Sequence, residues 1–460
     1  MDIYQILNNI RENIAPVGQS GYYATITIDS IYKNCFGKTM LNISGEIFTK
    51  EILEYDKCIF GSSENKQCDE CILKSQENKQ CEATVFFYGY SDIQISFNEF
   101  SALAKKMNID VCDYFNVSPC YKKYSKDCKL LNALEQTNKY DCFINYWNEN
   151  TAGKLFSIEF CSDSNIKANV YFCASPFLTK QTYLKFVDVS NEDFPTFTIN
   201  KIPNSLDING EYIPSSINVY NVGQGNFSIV KCENKESIAI DLGITKSEKH
   251  SPTYDDAIDE MKKLNSDIVI ISHLDLDHIL GVKYIPDEMF EKTWIISIHG
   301  KKNRTQSANR LLKYLLHYNQ NNTYLIDDCN NFCYAFGGFA IRQGSGKEIG
   351  HCNEINTGSL IVSISSNEKK ALLPGDCVYA EIPNALNGKY DFLVVPHHGC
   401  SLEGEDSIRN FSPASSTSVA VISYGKNSFG HPSQDHICAL CKQGFKLDTT
   451  YNKTTVTFKF

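Results

Sequence analysis

Residues 267–281 read DIVIISHLDLDHILG, an apolar run followed at once by His273, Asp275, Asp277 and His278. Continuous apolar runs of this length, with Val and Ile dominant, form strands covered on both faces. Polar and ionisable groups packed beside such a strand are costly unless something binds them. The stretch therefore demands a fold in which a buried strand delivers imidazoles and carboxylates to one place. A plainer reading of the same residues is a polar loop that caps a helix, with Asp277 at the N-cap.

The pattern recurs after Ile217. ESIAIDLG, KKALLPGDC, KYDFLVVPHHG and TSVAVISYG are short apolar runs, each ending in small or polar residues. TYDDAIDEMKKLN and SANRLLKYLLHYN have helical periodicity and lie between such runs. Strands alternating with helices predict an α/β domain over 217–460. Asp241, His273 to His278, Asp376 and the pair His397–His398 all stand at predicted strand C-termini, where sheets flanked by helices place their sites. All ten histidines lie between His250 and His436, which assigns any imidazole chemistry to this half.

Residues 1–205 read as a separate α+β domain of unknown function. A helix is predicted at 3–14, strands at YYATITIDSIY, VFFYGYSDIQISF, KLFSIEFCSDS and KANVYFCAS, and a helix at FNEFSALAKKMNI. Residues 206–216, rich in Pro, Asn, Gly and Ser, read as a linker. Cys58, Cys68, Cys71 and Cys81 have C-x9-C-x2-C-x9-C spacing inside a polar insert, which suits a structural zinc site; four unrelated thiols are the alternative. The second CxxC, Cys438 to Cys441, lies in a helical stretch and is expected to hold buried thiols. With nineteen cysteines and an opening that does not resemble a secretory leader, the chain is expected to be cytoplasmic, with reduced or metal-bound sulfur. No apolar run reaches membrane-spanning length. A net charge of −10 disfavours coating of long duplexes through phosphate contacts.

Taken together, HLDLDH (273–278), VGQGNFSIV (222–230), AIDLG (239–243), NTGSLIV (356–362), LLPGDC (372–377), VVPHHGC (394–400) and ISYGKNSFGHP (422–432) resemble the metallo-β-lactamase superfamily. The similarity is to the hydrolase domain of DNA-uptake proteins of the ComEC/Rec2 type and covers about 215–460. It implies an αβ/βα sandwich and two divalent ions, zinc or manganese. His273 and Asp275 would hold one ion, Asp277, His278 and His397 the other, with Asp376 between them. Asp275, where a third histidine is commoner, would favour a harder ion such as Mn²⁺. Asp241 would orient the metal loop, and Gly223, Gly225 and Gly243 would let backbone pass close to the site. Two positions depart from the family pattern: Asn226 replaces an aspartate and Cys400 a serine.

Adjacent side chains diverge on extended backbone, so one of His397 and His398 should face the metals. The expectation is His397 as ligand, with His398 touching substrate or the interior. Asp277, His398 and His431 are the expected catalytic groups, and Asn356, Ser359, Lys426 and Asn427 the expected substrate contacts. His250, His299, His317 and His436 read as ordinary surface or core residues. The function expected is a phosphodiesterase or nuclease acting on single-stranded DNA or a nucleotide through a hydroxide bridging the ions. The first domain would bind a ligand or protein partner that restrains it, as in bacterial defence proteins. The alternatives are a small-molecule ester or phosphoester hydrolase and a metal-stabilised binding protein.

Overall fold

A computed structural model describes residues 22–33, 39–49, 88–106, 147, 155–161, 167–172, 179–189, 208, 211–245, 254–300, 306–349, 352–402, 406–425, 430–451 and 453–460. The chain divides into two compact units, 1–198 and 199–460.

In the first unit the strands are β1 (Tyr22–Ala24), β2 (Thr27–Lys33), β3 (Thr39–Thr49), β4 (Tyr88–Ser96), β5 (Phe156–Cys161), β6 (Lys167–Phe172) and β7 (Thr179–Val189). They run β1-β5-β7-β6-β4-β3-β2, and a further β1–β3 pairing closes them into an antiparallel ring. The ring runs through β1, β5, β7, β6, β4 and β3, and β2 pairs with β3 beside β1. One helix, α1 (Phe97–Lys106), follows β4, and Phe100 packs edge-on against Trp147 at 4.4 Å between ring centroids. The Trp147 indole N–H donates to the Ile26 carbonyl at 3.1 Å. The predicted strands and the 97–106 helix are present; the predicted 3–14 helix and Cys58, Cys68, Cys71 and Cys81 lie outside the described residues.

The second unit is a sandwich of two seven-stranded sheets. One contains β8 (Pro214–Tyr220), β9 (Phe227–Cys232), β10 (Ser237–Leu242), β11 (Ser266–Ile271), β12 (Thr293–Ser297) and β13 (Thr323–Ile326), edged by the last strand of the chain. The other contains β14 (Cys333–Phe336), β15 (Phe339–Gln343), β16 (Leu360–Ser366) and β17 (Lys369–Leu373). After β18 (Gly388–Tyr390), which pairs aside with β20 (Phe411–Pro413), it continues through β19 (Phe392–Val394), β21 (Val419–Ile422) and β22 (Lys446–Thr449). The closing strand β23 (Thr455–Lys459) pairs back with β8. Helices α2 (Asp255–Lys262), α3 (Leu276–Ile279), α4 (Gln306–Tyr318), α5 (Glu354–Thr357) and α6 (Gln434–Gln443) join these strands.

Period-two alternation explains how the sheets meet. Leu360, Val362 and Ile364 of β16 share a core with Ile268 and Ile270 of β11, whereas Ile361 points to a second cluster with Leu440 of α6. Ile268 to Ile271 are all buried, as their unbroken apolar run requires. Part of the predicted linker is built into this unit. Tyr212 is buried in the shared core, Ile208 N–H donates to the Tyr334 hydroxyl at 2.7 Å, and β8 begins at Pro214.

Parallel pairing aligns the C-termini of β10 with β11 and of β17 with β19 and β21. The segments that follow them therefore emerge on common edges. The Leu360 N–H donates to the Ser272 carbonyl at 2.8 Å, and the Ser423 hydroxyl to the Gly225 carbonyl at 2.8 Å, so segments from the two sheets are tied together. Ile270→Ala should cost about 2–5 kcal/mol, the usual range for emptying a close-packed core position. With Trp147 replaced by Phe in both proteins, Trp294 fluorescence should show an earlier urea transition; an unmoved midpoint would contradict the shared core.

Candidate metal centre

Strand β11 ends at Ile271, and the chain then presents His273, Asp275, Asp277 and His278 around the short helix α3. The capping reading does not hold. Asp275, not Asp277, occupies the N-cap, and its side chain makes no capping hydrogen bond. The carboxylates point instead at imidazoles: Asp275 Oδ2 lies 3.5 Å from His273 Nε2, and Asp277 Oδ2 lies 3.3 Å from His398 Nε2.

Asp376 follows Gly375 at the end of β17 and sits at the middle. Its Oδ1 is 3.2 Å from His278 Nε2 and 3.8 Å from His398 Nε2; its Oδ2 is 3.8 Å from His273 Nε2 and 3.7 Å from His397 Nε2. His273 Nε2, His278 Nε2, His398 Nε2 and Asp376 Oδ1 are buried with no hydrogen-bond partner. Imidazole nitrogen and carboxylate oxygen left this way form a donor set that fits a divalent cation. His273, His278 and Asp376 make one group of converging donors, and Asp277, His278 and His398 another.

Asp241 organises the loop. Its backbone is left-handed at φ 56°, and its carboxylate accepts from the Ser272 N–H at 2.7 Å and from the Ser272 hydroxyl at 2.9 Å. The same carboxylate lies 2.8 Å from His278 Nδ1, which leaves His278 Nε2 to face Asp376. Glycines admit the metal loop behind it: a Cβ on Gly243 would lie 1.8 Å from the Asp277 carbonyl oxygen, and one on Gly225 would lie 2.7 Å from it. Asn226 contributes backbone here, its N–H donating to that carbonyl at 3.2 Å.

The electrostatics ask for positive charge. Burial opposes ionisation of Asp376, yet His278, His397 and His398 hold its carboxyl well below the usual range. Burial likewise works against charging His278, but Asp376 and Asp241 hold it well above the ordinary imidazole value. Asp277 is also held low, burial being outweighed by His398 and His278. His397 is pushed up to about 10, burial being overcome chiefly by Asp376. A bound dication can supply the same compensation without protons.

His397 and His398 depart from the expected geometry. Their segment is not extended: both are left-handed, at φ 48° and 53°, and they are followed by Gly399 at φ 78°. The turn places His398, not His397, beside Asp277 and His278, with His398 Nδ1 2.8 Å from the Ser423 carbonyl. His397 lies on the other side of Asp376, with Nδ1 3.4 Å from Cys352 Sγ and Nε2 3.5 Å from Asn356 Nδ2. Asn356, expected to meet substrate, thus borders the centre itself, its Oδ1 buried without a hydrogen-bond partner. The Ser359 hydroxyl is fully buried and donates to the Asn356 carbonyl at 2.7 Å, so it braces α5. The His431 ring is 5.4 Å from that of His397. Lys426 and Asn427, like His250 and His351, lie outside the described residues.

One other expectation changes, and the reading of His436 as an ordinary core residue stands. Cys438 and Cys441 are exposed, because α6 turns His436 and Leu440 inward. His436 is a buried structural residue: the Tyr379 hydroxyl lies 3.0 Å from its Nε2, its Nδ1 lies 2.8 Å from the Cys400 carbonyl, and burial pushes its pKa down to about 4. Sequence reasoning did not associate Cys352 with His397; Cys400, standing where the family pattern has serine, was the available signal.

No family model and no curated protein matches the chain. Among solved structures, the metallo-β-lactamase fold protein YhfI from Bacillus subtilis is similar at 13% identity, over 54% of this chain and 100% of its own, with a TM-score of 0.34. An isothiocyanate hydrolase from Delia radicum gut bacteria is similar at 13% identity, over 53% of this chain and 98% of its own, with a TM-score of 0.31. A metallo-β-lactamase from Hirschia baltica is similar at 12% identity, over 49% and 92%, with a TM-score of 0.24. Likenesses this low carry no weight for activity. No described helix is long and apolar enough to cross a membrane.

Asp241→Ala removes the carboxylate that orients His278 and the Ser272 turn. It should lower divalent-metal affinity tenfold to a hundredfold, the usual effect of losing a group that positions a ligand. Competition with a chromophoric chelator measures this; undiminished affinity would show that Asp241 does not organise the centre.

Proposed function

We propose that residues 199–460 form a metal-dependent hydrolase of the metallo-β-lactamase type. The observation that carries this reading is the convergence of three buried imidazole nitrogens, all without hydrogen-bond partners, on the equally buried Asp376. His273, Asp275 and Asp376 would hold one ion, and Asp277, His278, His398 and Asp376 the other. His397 is released from the set that the sequence suggested. Divalent cations so held supply Lewis acidity and neutralise charge developing on a scissile ester.

The chain's own groups do the rest. Asp241 fixes His278, and the Ser423 carbonyl fixes His398 through Nδ1, so both rings present Nε2 to the centre. The side chain of Asp275 is 41% exposed, which puts it on the open side where substrate enters. For substrate we favour a phosphodiester, single-stranded DNA or a nucleotide, because its anionic backbone suits a centre built around cations. The acidic balance of the chain gives a stiff duplex little to bind. The first unit would recognise a ligand or partner that restrains this activity. The ion is zinc or manganese, and Asp275 favours the harder of the two.

Asp376→Ala and Asp277→Ala should each abolish hydrolysis, and Asp275→His should shift metal preference from Mn²⁺ toward Zn²⁺. With Mn²⁺, single-stranded oligonucleotides should be cut faster than duplex. Turnover of small esters with no oligonucleotide cleavage would move the assignment to a small-molecule hydrolase of the same fold. Full activity in Asp376→Ala would overturn the metal-dependent reading itself.

A further inference from the structure

Cys352, His397 and Cys400 form a second kind of donor cluster beside the aspartate centre. Cys352 precedes α5, in a short bridge with Ile349, and Cys400 closes the turn that carries His397, its N–H donating to the His397 carbonyl at 2.9 Å. Both cysteines are buried, at 3% and 2% exposure, and pack with Val378. Their sulfurs and a His397 ring nitrogen all lie within 4.8 Å of one another, and Cys352 Sγ is 3.4 Å from His397 Nδ1.

These separations suit a tetrahedral ion. Bond lengths of about 2.3 Å to sulfur and 2.0 Å to nitrogen place sulfur and nitrogen ligands about 3.5 Å apart and two sulfurs about 3.8 Å apart. The cysteine–histidine edge already has this length, so small side-chain rotations would complete the set. Two thiolates and an imidazole select zinc or another soft ion over manganese or magnesium. The centre around Asp376, with three imidazoles and three carboxylates, admits harder ions as well as zinc, so the thiolate site would be the more selective of the two for a soft ion.

We propose that Cys352, Cys400 and His397 Nδ1 form a separate zinc site, which shares the His397 ring with the border of the aspartate centre. Zinc there fixes the tautomer and orientation of His397 and leaves its Nε2 facing Asp376, 3.7 Å from Oδ2. This accounts for the histidine that the aspartate centre does not need, and it stands whether or not that centre is a hydrolase.

The test uses the full chain carrying Cys68→Ser and Cys71→Ser, so that the first unit's cysteine insert cannot supply the signal. After saturation with zinc and removal of excess, X-ray absorption at the zinc edge should show sulfur neighbours at about 2.3 Å. Adding Cys400→Ser, a near-isosteric change, should remove about one equivalent of zinc and most of that sulfur shell. Zinc surrounded only by nitrogen and oxygen in the parent would overturn the proposal, whatever the variant does. So would a sulfur shell that survives Cys400→Ser. If Cys400→Ser does not fold, Cys352→Ser is read the same way.

Discussion

A buried carboxylate at the meeting of two sheets constrains the rest of the second unit. Asp376 is 3% exposed and has four imidazole nitrogens at 3.2–3.8 Å. A charge so placed is stable only among groups that compensate it. The parallel strand ends, the left-handed turns at Asp241 and His397–His398, and the contacts that only Gly225 and Gly243 allow all deliver such groups. The sandwich is in this sense a device for holding two segments apart by a fixed distance while their polar tips share one ion-binding volume.

Much of this was legible in the residues. Unbroken apolar runs located β10, β11, β17, β19 and β21, because strands buried on both faces leave no alternation to misread. Their polar termini located Asp241, His273, Asp277, His278 and Asp376. The turn at His397–His398 was not legible for a physical reason: two consecutive left-handed residues that are not glycine are rare, and only Gly399 hinted at it. Helix periodicity alone does not say which face of α6 is covered, so Cys438 and Cys441 looked buried. Ser359 looked available because a short polar segment reveals nothing of the carbonyl its hydroxyl will meet. Cys352 and Cys400 are remote in sequence and become neighbours only when α5 and the His397 turn are packed.

The arrangement separates two questions that the motifs alone run together. The proposed metal binding depends on buried donors that stand at strand ends from both sheets. Substrate choice, in the proposed reading, would depend on what surrounds the exposed side chain of Asp275. The proposed hydrolase rests on the buried donors, and the proposed preference for single-stranded nucleic acid on charge.

Anomalous diffraction from crystals of the full chain soaked in manganese tests most directly whether ions bind at Asp376. Ion density is expected within coordination distance of Asp376, touching His273 on one side and His278 with His398 on the other. Ordered ions elsewhere, with the Asp376 carboxylate bonded only to protonated histidines, would contradict it.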